Sequence, residues 1–561
     1  MSNEPQAAAG RKPSVFEGVT VYHWLVLILA SCGWLFDCMG QRIFVLAREP
    51  ALKELLGATA TDGDVKYWGG MATFILMIGW ATGGILFGMM SDKYGRVKAM
   101  IATLLAYTVF SGLSGLARTG IEFLVYRFLC GMGVGGMFGA ATTLLAESVP
   151  PRFRTMALGS MQALSACGNM LASGLSLSII PGMENCWGRW SGWQVLFFVG
   201  VLPALLVVPI IVVLKEPEPW KKAKADALTG GAAKKVGSMA DLFRDPRWRR
   251  STIIGICLGV AGMVGLWGIA FFSPELITTA FKNRALMEWE IAKPLELCRA
   301  LKSAANPAVA HIKGQMSAEV LKQVEPGELA KGTPAAAAGT LAKELNRLIQ
   351  EGNLYQAEAF KSLTLKKSTA KLVQLVEKKK EKQDIVFLNR QLIEQVFAGT
   401  IIELQKTIDK TRSRGTLLQD VGSLLGMLTF TFVASRFNRR TAFLGAFLFC
   451  LVSVSFVFFA LKTETDVYWM LPLMGFGTLS CFAGYSIYFP EIFPTRLRGT
   501  GVGFCYNTVR YLAAPFPFLL GWLSTMMPFR TVAIIMSSIY LVGIVALIWA
   551  PETKGKPLPE D

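Results

Sequence analysis

The strongest constraint on this chain is the alternation of long apolar runs with short polar loops rich in Arg and Lys. Crossing roughly 30 Å of hydrocarbon takes about 20 residues of helix. Runs of that length fall at 22–45, 69–91, 98–117, 121–148, 156–180 and 193–214, then at 252–280, 415–435, 441–461, 467–489, 499–523 and 530–550. We therefore expect an all-α polytopic membrane protein of twelve transmembrane helices in two six-helix bundles. Barrel strands would show short period-two segments instead. With 52% hydrophobic and 17% charged residues, the chain has more apolar surface than a soluble core would hide.

The formal charge of +18 does not point to nucleic acid, because Lys and Arg sit mainly beside the apolar runs, as a positive-inside bias requires. Loops carrying Lys93, Arg96 and Lys98, Arg152 and Arg154, Arg436, Arg439 and Arg440, and Arg496 and Arg498 fall on one face. That face and both termini are expected in the cytosol of a cell with the chain in its inner membrane. The segments read as a cytosolic tail at 1–20, a bundle at 21–214, a basic cytosolic linker at 215–250, a seventh helix at 251–280, an insertion at 281–414, helices 8–12 at 415–550 and a cytosolic tail at 551–561. The first 20 residues carry no apolar stretch ahead of a cleavage site, so they read as a tail and not a signal peptide. Trp220, Leu242, Phe243 and Trp248 among basic residues predict a linker stretch lying on the membrane surface.

Parity places the insertion outside, and long domains translocate largely regardless of charge. Apolar residues spaced by three and four (Leu372, Val373, Leu375, Val376, then Ile385, Val386, Leu388, Leu392, Ile393 and Val396) predict helices, with a loop within Ala304–Ala338. A periplasmic docking module for a partner and an insertion without a direct role both remain open.

The run Gly88-Met89-Met90-Ser91-Asp92-Lys93-Tyr94-Gly95-Arg96-Val97-Lys98, set between the second and third apolar runs of a two-times-six array, resembles the loop signature of the major facilitator superfamily. A degraded echo stands at Ser435-Arg436-Phe437-Asn438-Arg439-Arg440, with Ser435 in place of the acid. Arg127 with Gly131, Gly133 and Gly136, the run Pro490-Glu491 to Arg498-Gly499, and the tail Pro551-Glu552-Thr553-Lys554-Gly555 are similar to the sugar-porter and metabolite:proton symporter branches. The resemblance implies a secondary transporter working by alternating access, monomeric, with a small-molecule substrate and a proton as its partners. Gly255 to Leu276 lacks the Gln pair with which sugar porters hold hydroxyls, which argues against sugar. Gly88, Asp92, Lys93, Gly95 and Arg96, with Glu147, Arg152, Glu491, Arg496 and Arg498, are then gating residues.

Ionisable residues inside spans are costly and mark function. Asp37 in the first span and Arg127 in the fourth lie at similar expected depths, and the resemblance makes them the proton-coupling pair; a fixed structural ion pair, or capture of Asp37 by Arg42, is the competing reading. Arg510 in the eleventh span, close after Asn507, predicts bidentate contact with an anionic substrate group, unless Asp420 pairs with it. Gln162, Asn169, Gln419 and Trp267, with Phe271 and Tyr506, are expected to line the same cavity.

His23 and His311 are the only histidines, so a metal site is not expected, and no phosphate-binding loop ahead of Lys-Ser/Thr supports direct use of ATP or another cofactor. Gly131, Gly133 and Gly136 match a dinucleotide fingerprint, but no strand precedes them and small residues between helices explain them. Most of the ten Cys lie in apolar runs as packing residues; Cys186 and Cys298 are the pair for which a disulfide stays open. The expected function is proton symport of a small organic anion, a carboxylate or aromatic acid. A sugar or polyol symporter and a transporter-derived nutrient sensor signalling through 281–414 are the alternatives.

Overall fold

The computed structural model describes residues 14–57, 60, 62–179, 190–229, 236–273, 276–277, 307–323, 334–351, 354–358, 367–379, 381–396, 398–523 and 526–560. The first half contains α1 (Val21–Leu55), α2 (Asp62–Tyr94), α3 (Arg96–Gly115), α4 (Gly120–Ser148) and α5 (Pro151–Ile179). Its sixth apolar run is broken into α6 (Gly192–Val199), a 3-10 turn at Leu202–Leu206 and α7 (Val207–Val213). The linker holds α8 (Glu218–Thr229) and α9 (Asp241–Arg244). Next comes α10 (Pro246–Val264), then a π turn at Gly265–Ile269 and a 3-10 turn at Ala270–Phe272.

The insertion contributes α11 (Pro307–Gln315), α12 (Ala318–Gln323), α13 (Pro334–Glu351), α14 (Lys367–Lys379) and α15 (Lys382–Val396). The second half continues with α16 (Ala398–Arg436), α17 (Arg439–Ala460), α18 (Glu464–Glu491), α19 (Arg498–Ala513), α20 (Phe516–Leu523), α21 (Phe529–Met536) and α22 (Tyr540–Ala546).

Ten of the described helical stretches are long and apolar enough to cross a membrane. Of the twelve expected, α5 falls outside that set because Arg152, Arg154, Gln162 and Asn169 dilute its apolar run. The run at 499–523 falls outside it because the chain divides at Pro515 into α19 and α20. Two boundaries also move. α1 does not stop near residue 45 but continues through Pro50 to Leu55, and the end of the insertion at 414 falls inside α16, which is continuous from Ala398.

Large apolar side chains stand outward along the bundle, among them Val212 and Phe459. A bilayer accepts such a surface, and association inside it depends on close packing. In the first half α2 and α3 pack along α4 and α1 along α5; in the second α16 packs along α18. The halves meet where α2 lies against α19 and α5 against α16. Gly88 allows the first of these contacts, since a Cβ there would stand 2.7 Å from the Gly499 carbonyl oxygen.

The insertion has an apolar core of its own, built from Val309, Ile312, Leu341, Leu348, Leu372 and Leu388 among others. The helices expected from the spacing near 372 and 392 are present as α14 and α15. Within Ala304–Ala338, α11 and α12 form and α13 begins, so less of that stretch is loop than its Pro and Ala content implied. Cys186 and Cys298 lie outside the described residues.

Candidate functional site

At the basic end of the bundle, Asp92 closes the last turn of α2. Its Oδ1 accepts from Gly499 N at 3.0 Å, and its Oδ2 accepts from Thr500 N at 2.7 Å and Thr500 Oγ1 at 2.6 Å. The carboxylate of one half thus caps α19 of the other, where backbone N–H groups and the helix dipole favour an anion. Arg96 lies 2.9 Å from Asp92 and donates to both oxygens of Glu147 at 3.0 Å, while Arg498 donates to Glu147 from across the halves at 2.5 Å. All four charges are buried. Gly95 turns between α2 and α3 at φ +126, and a Cβ there would strike the Glu216 carboxylate. That carboxylate, unmarked by the sequence reading, caps α3 through Arg96 N at 2.6 Å and Val97 N at 3.0 Å. Lys93 is exposed.

The linker turns three of the four residues expected at a membrane surface onto the protein instead. Trp220 is buried and donates from Nε1 to the Asp92 carbonyl oxygen at 2.6 Å, while Leu242 and Trp248 are buried and only Phe243 is exposed. Trp220 is held at the loop because the end of α2 offers it a carbonyl acceptor. Arg496 pairs with linker residue Asp241 at 2.7 Å, and Arg152 reaches only the exposed Glu17, also at 2.7 Å.

The second half repeats this arrangement without its acid. Arg439 donates to both oxygens of Glu491, at 3.1 and 2.8 Å, as Arg96 does to Glu147. Glu552 caps α17 through Arg439 N and Arg440 N, as Glu216 caps α3, and Thr553 donates to Glu491 at 2.6 Å. Ser435 turns back to its own chain and donates to the Phe432 carbonyl oxygen at 2.7 Å. Glu216 and Glu552, each beside a Pro after the last span of its half, are legible once the two halves are aligned.

Midway through the bundle, Asp37 of α1, Trp80 of α2 and Arg510 of α19 stand about 24, 21 and 18 Å along their helices from the basic end. Arg510 is buried and lies over Trp80 at 3.8 Å and over Tyr506 at 4.6 Å. Its Nη1 donates to the Tyr506 carbonyl oxygen at 2.7 Å and to Asn507 Oδ1 at 2.8 Å, and its Nε has no hydrogen-bond partner. Asn507 fixes this end of α19 to the other half by donating to the Gly135 carbonyl oxygen at 3.3 Å. Tyr506 stacks on Phe138 at 3.6 Å.

Asp37 is fully buried, accepts from Gln41 Nε2 at 3.0 Å, and leaves Oδ1 without a partner. Gln162 is buried with its Oε1 unpartnered, Asn169 is half-buried, and Gln419 accepts from Ser273 at 2.8 Å. Trp267 sits in the π turn after α10, edge-on to Trp80 at 5.7 Å, where an irregular turn re-aims a side chain toward a site. Nothing is described of the Phe271 side chain.

Toward the opposite end, Arg42 Nη2 donates to Asp420 at 2.8 and 2.6 Å, joining α1 to α16. Asp420 is therefore not the partner of Arg510, and Arg42 does not compete for Asp37. The expected pair of Asp37 and Arg127 is not formed either. α1 runs on past Asp37 to Leu55, which places Asp37 about 27 Å from that helix end, whereas Arg127 stands only about 10 Å into α4. Arg127 donates from Nε to Ser114 Oγ at 2.9 Å and from Nη2 to the Phe110 carbonyl oxygen at 3.2 Å. Phe197, Phe44 and Phe123 cage its guanidinium at 4.7, 5.6 and 5.7 Å, and no acid pairs with it among the described residues.

Comparison with known proteins agrees with this geometry. Residues 30–287 match the model of the Major Facilitator Superfamily, and residues 403–560 match that of Sugar (and other) transporter. The cis,cis-muconate transport protein of Acinetobacter baylyi is 29% identical over 37% of this chain and 48% of its own length. The benzoate transport protein of the same organism is 28% identical over 35% of this chain and 40% of its own. The chain spans about half the length of the curated relatives it matches. The fold is that of the proton:xylose symporter XylE bound to 6-bromo-6-deoxy-D-glucose, with a TM-score of 0.55 at 16% identity over 96% of this chain and 98% of that one. With the Asp92 loop and its echo in matching places of the two halves, the chain belongs to the major facilitator superfamily of membrane transporters.

Proposed function

We propose that this transporter carries a small organic anion, an aromatic or unsaturated carboxylate, in symport with a proton by alternating access. The observation that carries the reading is Arg510, a buried guanidinium at the seam of the halves, lying over Trp80 and Tyr506 and with an unpartnered Nε. A planar carboxylate supplies the acceptor oxygens that such a fork lacks and a face that stacks on the same rings. The names of the relatives, which carry muconate and benzoate, support this class.

Asp37 is the proton carrier in this reading. When a substrate carboxylate arriving on Arg510 takes up its positive charge, a proton on Asp37 leaves the site without net charge. The substrate and proton move together because each offsets a charge that would otherwise be buried alone. The basic end faces the cytosol of a cell whose inner membrane holds the monomeric protein. The Asp92 network ties the halves together at that side and the Arg42 and Asp420 pair ties them at the other.

Binding to the purified protein, followed by tryptophan fluorescence, tests the reading. Benzoate is expected to bind at least tenfold tighter than benzamide, its neutral isostere, and Arg510→Gln to remove the difference. Equal affinity for the two, or displacement by xylose and not by carboxylates, would return the site to a neutral substrate.

A further inference from the structure

We propose that the groove between α10 and α22 is a binding site for one anionic phospholipid of the leaflet at the basic end, the class represented by phosphatidylglycerol. The groove encloses about 720 Å³ on the outside of the second half. Ile253 and Cys257 of α10 form one wall and Val542 and Val545 of α22 the other. Arg249 and Arg250, in the first turn of α10, and Trp549, just past α22, form its rim.

The two arginines are exposed, and neither pairs with an acid among the described residues, whereas neighbouring Arg247 is met by Asp245 at 2.8 Å. Arg250 is held at the rim by donating from Nη2 to the Trp549 carbonyl oxygen at 3.1 Å, which leaves its remaining N–H groups for a ligand. Both guanidiniums stand at the level where the basic loops meet lipid headgroups, and Trp549, 54% exposed, adds the amphipathic ring favoured at that depth.

The division of labour follows from the solvent. Acyl chains gain little by moving from bilayer to an apolar groove, so the walls select shape and length, and the choice among lipids rests with the two charges. A phosphodiester carries the anionic oxygens that a guanidinium fork holds bidentately. A free anion would meet the same arginines but would leave the walls below them unused.

The test uses the full chain in detergent, with phosphatidylglycerol or phosphatidylcholine of identical acyl chains added and retained lipid counted by native mass spectrometry. Phosphatidylglycerol is expected to be retained at least tenfold better. The Arg249→Gln and Arg250→Gln double variant should bring the two lipids to equal retention. Val545→Trp, which fills the groove and leaves both arginines, should lose both lipids, and it carries the test if the double variant does not fold. Equal retention by the unaltered protein, full retention by Val545→Trp, or displacement of the lipid by inorganic phosphate would each overturn the assignment.

Discussion

Arg510 does two things that only arginine does together: its flat guanidinium lies on Trp80 at 3.8 Å while its edge donates to Tyr506 and Asn507. Lysine keeps the charge but not the plane or the fork. Arg510→Lys should therefore weaken carboxylate binding by at least tenfold in a fluorescence titration, about 1.4 kcal/mol or more. Asp37→Asn keeps the shape of the acid and its bond to Gln41 and removes the titrating proton. Uphill uptake should disappear while exchange of labelled for unlabelled substrate continues, read as counterflow in vesicles. Both residues are visible in the sequence as charges inside apolar runs. Their partners are not, because matching Asp37 with Arg127 relied on α1 ending near residue 45. Ten further residues of helix place Asp37 about 15 Å further from the end of α1 than expected, and its bond is to Gln41 of the same helix.

The Asp92 turn and its echo make a comparison of elements. Asp92 accepts three hydrogen bonds from α19 and lies against Arg96, so replacing it by Asn leaves two arginines and one glutamate in a buried network. Asp92→Asn should shift the population toward opening at the basic end by about 2 kcal/mol, roughly 30-fold. Spin labels at the exposed Lys93 and Arg436 would read this as a longer distance. Ser435→Ala should leave the distance unchanged, since Ser435 bonds only to its own helix. The loop motif was legible down to the single acid missing from its repeat. The capping role of Glu216 and Glu552 is legible only once the two halves are aligned, because a cap depends on where the chain returns after a long excursion.

The insertion is an element with its own core, and α16 carries it into the membrane as one 39-residue helix. We expect a chain with residues 281–397 replaced by a short flexible linker to keep substrate uptake within twofold, measured in the same vesicles. Inside the insertion, Arg347 and the Ser317 N–H hold Glu344 well below the usual carboxylate range, at about 2. A depressed carboxylate lends stability that is complete above its ordinary value of 4.5 and is lost as pH falls toward 2. Hydrogen exchange in α13 should accordingly stay constant from pH 7 to about 5 once corrected for intrinsic rate.

Across the whole molecule, two halves are joined at three heights: the Asp92 network, the Arg510 seam and the Arg42 and Asp420 pair. The fold class was legible because a bilayer admits few solutions to long apolar runs. The depth of each charge was not, because helix length, tilt and register are set by packing between halves. In the proposed cycle a carboxylate on Arg510 and a proton on Asp37 cross together. Uptake of labelled benzoate into vesicles holding the purified protein, with an imposed pH gradient and no membrane potential, tests it most directly. Coupled symport gives accumulation above equilibrium when the vesicle interior is alkaline, abolished by Asp37→Asn. Accumulation that ignores the gradient, or that survives Asp37→Asn, would contradict it.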